Sequence, residues 1–136
     1  MICAVHALVG GAVGRLAGKR PGAFAAGVAT HLLGDLLPHK DLDPKIEAPL
    51  LAATLTLLAW RLGVTSPEFV GAAGWVAPDV ENAAYVTGLM PVGMLHFPTH
   101  IGGGTYHGPR TRSVWPQGVL AAVCLAYLLR RRPSGR

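Results

Sequence analysis

Long apolar stretches run along most of the chain and are separated by short polar breaks that contain proline or glycine. None of them alternates apolar and polar residues over a useful length, as a half-buried strand would. The stretches predict five helical segments, at 2–18, 23–37, 46–62, 66–95 and 117–129. Pro38 ends the second segment, and we expect the fourth to break at Pro78 and Asp79. The pattern therefore predicts an all-α fold.

The length and composition predict one compact antiparallel bundle that spans residues 1–136 as a single domain. Hydrophobic residues make up 51% of the chain and charged residues only 14%, against roughly 25% charged in a typical soluble domain. The 18 glycines suit helices that pack closely in lipid. These features favour a transmembrane bundle. The alternative is a soluble bundle rich in alanine and glycine, because no segment offers about 20 uninterrupted apolar residues.

Tracing the segments as successive antiparallel hairpins sorts the charges to the two ends of the bundle. Eight of the 12 lysines and arginines fall at the end that holds Arg61 and the C-terminus. Six of the seven acidic residues and all six histidines fall at the other end. By the positive-inside rule, we expect the histidine end on the non-cytoplasmic side. The basic residues are not interleaved with aromatic ones on a face, so we expect no nucleic-acid partner.

The stretch from His31 to Asp41 carries the clearest chemistry. His31 and Asp35 are four residues apart and share one helical face, over which His39 and Asp41 could fold after Pro38 ends the helix. A histidine and a carboxylate so placed commonly bind zinc, and a catalytic zinc site needs about three protein ligands and an open position. The alternative is a hydrogen-bonded pair inside the bundle. We favour the metal, because a buried ionisable pair within a membrane is costly.

Two further candidates fall at the same end of the bundle. His6 lies one turn inside the first segment and is either a metal ligand or a hydrogen-bonded core histidine. Asp79 follows Pro78 within an apolar stretch and is either a ligand or the N-cap of a following helix. Glu81 or Asn82 would then orient a ligand from outside the coordination shell.

Three histidines lie late in the chain. His96 and His100 are four residues apart, although Pro98 between them argues against a regular helix. His107 follows a run of glycines, and a histidine in such a loop is often solvated. We therefore expect His96 to be a ligand more readily than His107.

This order of residues resembles the membrane-bound metal-dependent hydrolase family of bacteria and archaea, which is distantly similar to the zinc-dependent phospholipase C fold. The resemblance consists of an early histidine, a His-x-x-x-Asp-x-x-Pro-His motif, a Pro-Asp-x-Glu break and late histidines. The Leu-Pro-Asp-Leu-Asp run and the His-Arg-Gly-x-Thr-His-Ser motif of that family are not intact here. The resemblance implies these metal ligands: His6, His31, Asp35, His39, Asp79 and His96.

The resemblance also implies a function. We expect a metal-dependent hydrolase with one or two zinc ions, or another divalent metal, in the inner membrane of a prokaryote. Its substrate would be a phosphoester or a lipid-linked molecule at the membrane interface. Asp79 or Asp41 would act as the general base where it is not a ligand, and Arg110 or Arg112 would bind the phosphate. The two arginines could equally be interfacial anchors on either side of Trp115.

The alternative is a non-catalytic membrane protein that binds metal or forms a homo-oligomer. Gly10, Gly14 and Gly18 are spaced four residues apart in the first segment. Small residues at this spacing allow two helices to pack closely. If assembly is the function, we expect this glycine face to contact a second copy of the chain.

Overall fold

The computed structural model describes residues 1–91, 93–101 and 107–130, and these residues contain five α-helices and no strand. The prediction of an all-α fold is confirmed. In chain order the helices are α1 Cys3–Ala17, α2 Arg20–Leu36, α3 Pro44–Leu62, α4 Pro67–Val86 and α5 Trp115–Leu129.

The predicted break in the fourth segment is wrong, because α4 continues through Pro78 and ends at Val86. Ser66 caps its start by accepting a hydrogen bond from the backbone N–H of Phe69 over 3.1 Å. A proline inside a helix removes one backbone hydrogen bond and costs about 3 kcal/mol. Here the helix packs against both α1 and α2, and Pro78 itself is buried. Packing therefore outweighs the local preference.

Glycines allow α4 to approach α1 and α2 at backbone distance. A Cβ atom on Gly14 of α1 would come within 3.0 Å of the Pro67 carbonyl oxygen, and one on Gly71 of α4 would clash with the Gly10 carbonyl. Gly18 ends α1 with a φ of 72° and has open space around it. Gly10 and Gly14 thus pack inside the chain, so they give no support to an assembly face.

The remaining helices flank this three-helix unit. The apolar core lies between α1, α3, α4 and α5, and it includes Leu8, Leu58, Val76 and Leu128. No helix in the described part of the chain combines the length and the apolar character that crossing a membrane requires. The expected transmembrane bundle therefore lacks support from the helices.

The start of α1, the end of α2 and the second half of α4 meet at one end of the bundle. The loop after α2 and the segment before α5 meet at the same end, where His39 and Arg110 form an isolated parallel bridge. At the opposite end, Arg15 of α1 donates to the backbone carbonyl of Arg130 over 2.9 Å. The polar loops and the C-terminal end of α5 therefore lie at opposite ends, as the hairpin trace predicts.

Candidate metal centre

Three helices place histidine and aspartate side chains in direct contact at the polar end. His31 and Asp35 of α2 bring Nε2 and Oδ2 to 3.0 Å from each other. His6 of α1 makes a 3.0 Å hydrogen bond from Nδ1 to Oδ2 of Asp79 on α4. Its other ring nitrogen, Nε2, lies 3.5 Å from Oδ1 of Asp35. The helical spacing predicts that His31 and Asp35 share a face. The packing of α1 and α4 against α2 brings His6 and Asp79 to them.

Two loops complete the cluster. His100 brings Nε2 to 3.5 Å from Oδ2 of Asp35, and His107 brings Nε2 to 3.7 Å from Oδ1 of the same carboxylate. His39 lies beside His107, with ring centroids 4.6 Å apart, and its Nε2 is 3.3 Å from Oδ1 of Asp41. The loops therefore extend the helical cluster towards the surface.

Asp35 lies at the centre of this arrangement and is 1% exposed. Its Oδ2 also accepts a 2.6 Å hydrogen bond from the Thr99 hydroxyl. Burial alone would raise the pKa of the Asp35 carboxyl, but its contacts with His100, His31 and Thr99 hold that pKa well below its ordinary value. Asp35 is therefore an anion at neutral pH.

The other two carboxylates are ionised for similar reasons. Burial raises the pKa of Asp79, but the hydrogen bond from His6 outweighs it, so the pKa is lowered. The contact with Nε2 of His39, 3.3 Å from Oδ1, is the main cause that lowers the pKa of Asp41. Burial lowers the pKa of the His6 imidazole, which favours its neutral form. Ionised carboxylates and neutral imidazoles are the forms that bind metal ions.

The outer contacts of two histidines fix which ring nitrogen faces the cluster. Nδ1 of His31 lies 2.6 Å from the carbonyl oxygen of Trp75, and Nδ1 of His39 lies 2.7 Å from that of Leu37. Because a carbonyl can only accept, Nδ1 carries the hydrogen in both rings. In the neutral ring, Nε2 then offers a lone pair to the cluster. Metal-ligating histidines are oriented by outer contacts of this kind.

Several buried polar atoms of the cluster have no hydrogen-bond partner among the described residues. They include Nε2 of His6, His31 and His39 and Oδ1 of Asp35. Each buried unsatisfied group typically costs about 1–3 kcal/mol, so such a concentration is rare without an ion or water. A protonated His31 ring would donate from Nε2 to Oδ2 of Asp35, which is one of the contacts that lower the pKa of this carboxyl. With a neutral ring both atoms are acceptors, and a cation between them would remove the repulsion.

Within the described parts of the chain, three groups of side chains could hold an ion, each with donor atoms within 4.8 Å of one another. These groups are His6–His31–Asp79, His31–Asp35–His100 and His39–Asp41–His107. Imidazole and carboxylate donors in sets of three suit zinc and similar divalent ions. The first two groups share His31, whereas the third has no member in common with them.

A cleft of about 830 Å³ opens beside the cluster. Asp41, Asp79, His100, His107 and Arg110 line its polar end. Apolar side chains of α3 and α4 line much of the rest, including Leu51, Val76, Val80 and Val86. Arg112 is exposed and does not line this cleft.

The structure places five of the six sequence-predicted ligands in the cluster and leaves His96 outside it. The His96 side chain is 82% exposed, and its Nδ1 lies 3.0 Å from Oε1 of Glu81. Glu81 also accepts hydrogen bonds from the backbone N–H groups of His96 and Phe97. Glu81 thus fixes the start of the turn that carries His100, whereas Asn82 lines the cleft.

Sequence reasoning gave too little weight to His100 and His107 and missed Thr99. The spacing of His96 and His100 was a signal, but it cannot tell which of the two faces inward when the segment is not a helix. His107 is brought to Asp35 by the backbone of Gly108, whose N–H donates to the Asp35 carbonyl over 2.7 Å. No sequence pattern reports such a contact between loops.

Comparisons of the chain with protein-family models, with curated proteins and with solved structures found no significant match. The function must therefore be inferred from the geometry and chemistry of the site.

Proposed function

We propose that the protein is a metal-dependent hydrolase that uses one or two zinc ions, or a similar divalent metal. The main support is the contact between two buried atoms, Nε2 of His31 and Oδ2 of Asp35, which lie 3.0 Å apart beside a cleft. When bound, such an ion supplies Lewis acidity that activates water and polarises a phosphoryl oxygen. The candidate ligands are His6, His31, Asp35, His39, Asp41, Asp79, His100 and His107.

The residues that face the cleft suit phosphoester hydrolysis. The Asp79 side chain is 20% exposed, and His6 holds its Oδ2. Its Oδ1 lies 3.8 Å from Nε2 of both His31 and His100, and it would accept a proton from water where Asp79 is not a ligand. Arg110 lies at the same end of the cleft and carries the planar guanidinium that suits a phosphate. Asp79 is therefore the favoured general base, with Asp41 as the second choice.

The cleft and the exposed surface support an apolar or lipid-linked phosphoester as the substrate. The cleft extends from the cluster along apolar side chains of α3 and α4. Trp60 and Trp115 are 77% and 78% exposed, and they lie on α3 and α5. Tryptophans of this kind favour the boundary between water and lipid. Action at the interface of an inner membrane remains part of the proposal, although no described helix supports a span.

A non-catalytic metal-binding protein is the second candidate, and the open cleft is the observation against it. Structural zinc sites are closed by four protein ligands, whereas catalytic sites keep a position open to solvent. Here Asp79, His100 and His107 line the cleft directly.

Elemental analysis of the purified full chain, followed by a phosphodiester assay with bis-p-nitrophenyl phosphate, tests the proposal. We expect bound zinc, loss of activity on chelation and recovery when zinc is restored. Asp79→Asn should lower the turnover by about 10²–10⁴-fold, as expected for loss of a general base. Bound metal without activity would favour the storage or sensing alternative. A protein that never binds a divalent metal would exclude both.

A further inference from the structure

The loop that carries His39 and Asp41 lies outside the helices, yet a buried side chain of α5 holds it. Gln117 is 4% exposed and lies in the first turn of α5. Its Nε2 donates to the carbonyl oxygen of Lys40 over 2.8 Å. Its Oε1 accepts from the backbone N–H of Ile2 over 2.9 Å. One amide therefore joins α5 to both the loop and the start of α1.

Glu47 makes the same kind of connection from α3. Its Oε1 accepts from the backbone N–H of Leu42 over 2.6 Å. Its Oε2 accepts from the thiol of Cys3 over 2.9 Å and from the Cys3 backbone N–H over 3.4 Å. Glu47 and Gln117 thus tie two helices to the same loop and to the same end of α1.

These contacts hold the residues on either side of Asp41 in the sequence. Gln117 holds the residue before it, and Glu47 holds the residue after it. His31, Asp35 and Asp79 need no such support, because each belongs to a helix. Asp41 and His39 depend on the loop conformation, since neither belongs to a helix.

We propose that Gln117 and Glu47 are positioning residues that fix His39 and Asp41 as a metal site separable from the helical one. The inference rests on the proposed metal-binding function. The ion of the His39–Asp41–His107 group would depend on both residues. The ion of the His31–Asp35–His100 group would not, because α2 itself carries two of its ligands.

Zinc binding to the metal-free full chain, measured by chelator competition and elemental analysis, tests this inference. We expect two ions on the wild type. Gln117→Leu removes both amide hydrogen bonds. It should lower the affinity for the ion of the His39–Asp41–His107 group by about 10–100-fold, as loss of an outer contact typically does. Glu47→Leu should weaken the same ion. Glu47→Gln keeps an acceptor oxygen for Leu42 but turns its NH2 group towards the Cys3 N–H, so it should restore only part of the affinity.

Two further variants separate positioning from loss of stability. Gln117→Glu keeps the acceptor for Ile2 but places a carboxylate oxygen against the Lys40 carbonyl, so it should cause the same selective loss even if Gln117→Leu fails to fold. Leu128→Ala opens the core at a fully buried position of α5. It should lower stability and leave both ions unchanged.

Each result decides between the ideas. A lower zinc affinity at one of the two sites in the Gln117 and Glu47 variants, but not in Leu128→Ala, would support the inference. A wild type with a single ion, equal weakening of both ions, or no change in any variant would overturn it and leave the metal function intact. A wild type without metal would overturn both.

Discussion

The imidazole of His31 donates from Nδ1 to the backbone carbonyl of Trp75, with 2.6 Å between nitrogen and oxygen. Trp75 belongs to α4, so the packing of α4 against α2 selects the tautomer of the ring. Nε2 then faces Oδ2 of Asp35 at 3.0 Å. A contact outside the cluster thus prepares His31 to bind a cation, as outer contacts of metal ligands commonly do.

Replacing His31 by alanine should abolish zinc binding at the helical site. His31 belongs to both helical ligand groups, so its loss leaves each with two protein donors. Elemental analysis of the purified variant beside the wild type measures the change, and thermal unfolding records the accompanying loss of stability.

The alternative role of His31 gives a different result. If the ring only hydrogen-bonds inside the bundle, His31→Ala should cost about 1–3 kcal/mol of unfolding free energy with no change in metal content. Full zinc occupancy in His31→Ala would therefore contradict its assignment as a ligand.

His96 and His100 offer a matched pair of variants. His100→Ala should weaken zinc binding by more than the roughly 10–100-fold that outer contacts contribute, because its Nε2 faces Asp35 directly. His96→Ala should leave binding unchanged, since that side chain is 82% exposed. Titration of both variants with zinc measures the difference. Equal losses would show that the late loop binds metal in another conformation.

The contrast between these histidines shows what the sequence can predict. The helical period places His31 and Asp35 on one face. The antiparallel hairpin trace predicts that His6 and Asp79 reach the same end. In the loops, backbone hydrogen bonds between distant segments decide the direction of each side chain. Glu81 binding to the backbone of residues 96 and 97 is one such contact, and it leaves no periodic signal.

Gly108→Ala should displace His107 and weaken zinc binding. A Cβ atom at this position would lie 2.5 Å from the Leu37 carbonyl oxygen and 2.8 Å from that of Asp35. These are backbone atoms, so the loop must move away from the end of α2. We expect a loss of about tenfold or more in affinity, by analogy with other outer contacts.

Gly118→Ala is the matched control for Gly108→Ala. A Cβ atom there meets nothing within 4 Å, and the residue lies in α5. The control should keep its zinc affinity and gain up to about 1 kcal/mol of stability from helix propensity. If both variants bound zinc equally well, His107 would not depend on the close approach at Gly108.

Gly14→Ala should destabilise the fold without acting on the cluster directly. The added methyl group would meet the backbone of Pro67 and Gly71, so α1 and α4 must separate. Overpacking of this kind typically costs about 1–3 kcal/mol. Urea unfolding measures the loss. Gly22→Ala in α2 has open space and should not destabilise the protein.

The glycine spacing in α1 illustrates a second limit of sequence reasoning. Small residues four apart predict that another helix approaches closely. They cannot identify that helix, and α4 of the same chain fills the role through its own glycine at Gly71. A Gly14→Ala protein as stable as the wild type would show that this contact is not as close as the structure indicates.

The metal-free protein should lose stability as the pH falls from about 7 to 5, where free histidine titrates. Burial lowers the pKa of His6 in the folded state, so below about 6.5 the unfolded chain binds a proton that the folded chain does not. Stability then rises with pH, by at most about 1.4 kcal/mol per pH unit for one proton. Asp35 and Asp79 affect stability at lower pH. Because their pKa values are lowered in the folded state, the stability that they contribute is lost only below about pH 4.

Urea unfolding of chelator-treated protein between pH 5 and pH 7.5 measures this slope. His6→Asn keeps an amide that can donate to Asp79 but cannot titrate, so its slope should be smaller. His107 also has a pKa lowered by burial, and the slope of the variant should therefore not vanish. Identical slopes for the wild type and His6→Asn would show that the pKa of His6 is the same in the folded and the unfolded chain. Burial would then not favour the neutral ring, contrary to the structure. A wild-type slope smaller than that of His6→Asn would show that the folded chain holds the His6 proton, and Nε2 would then not be free to bind zinc.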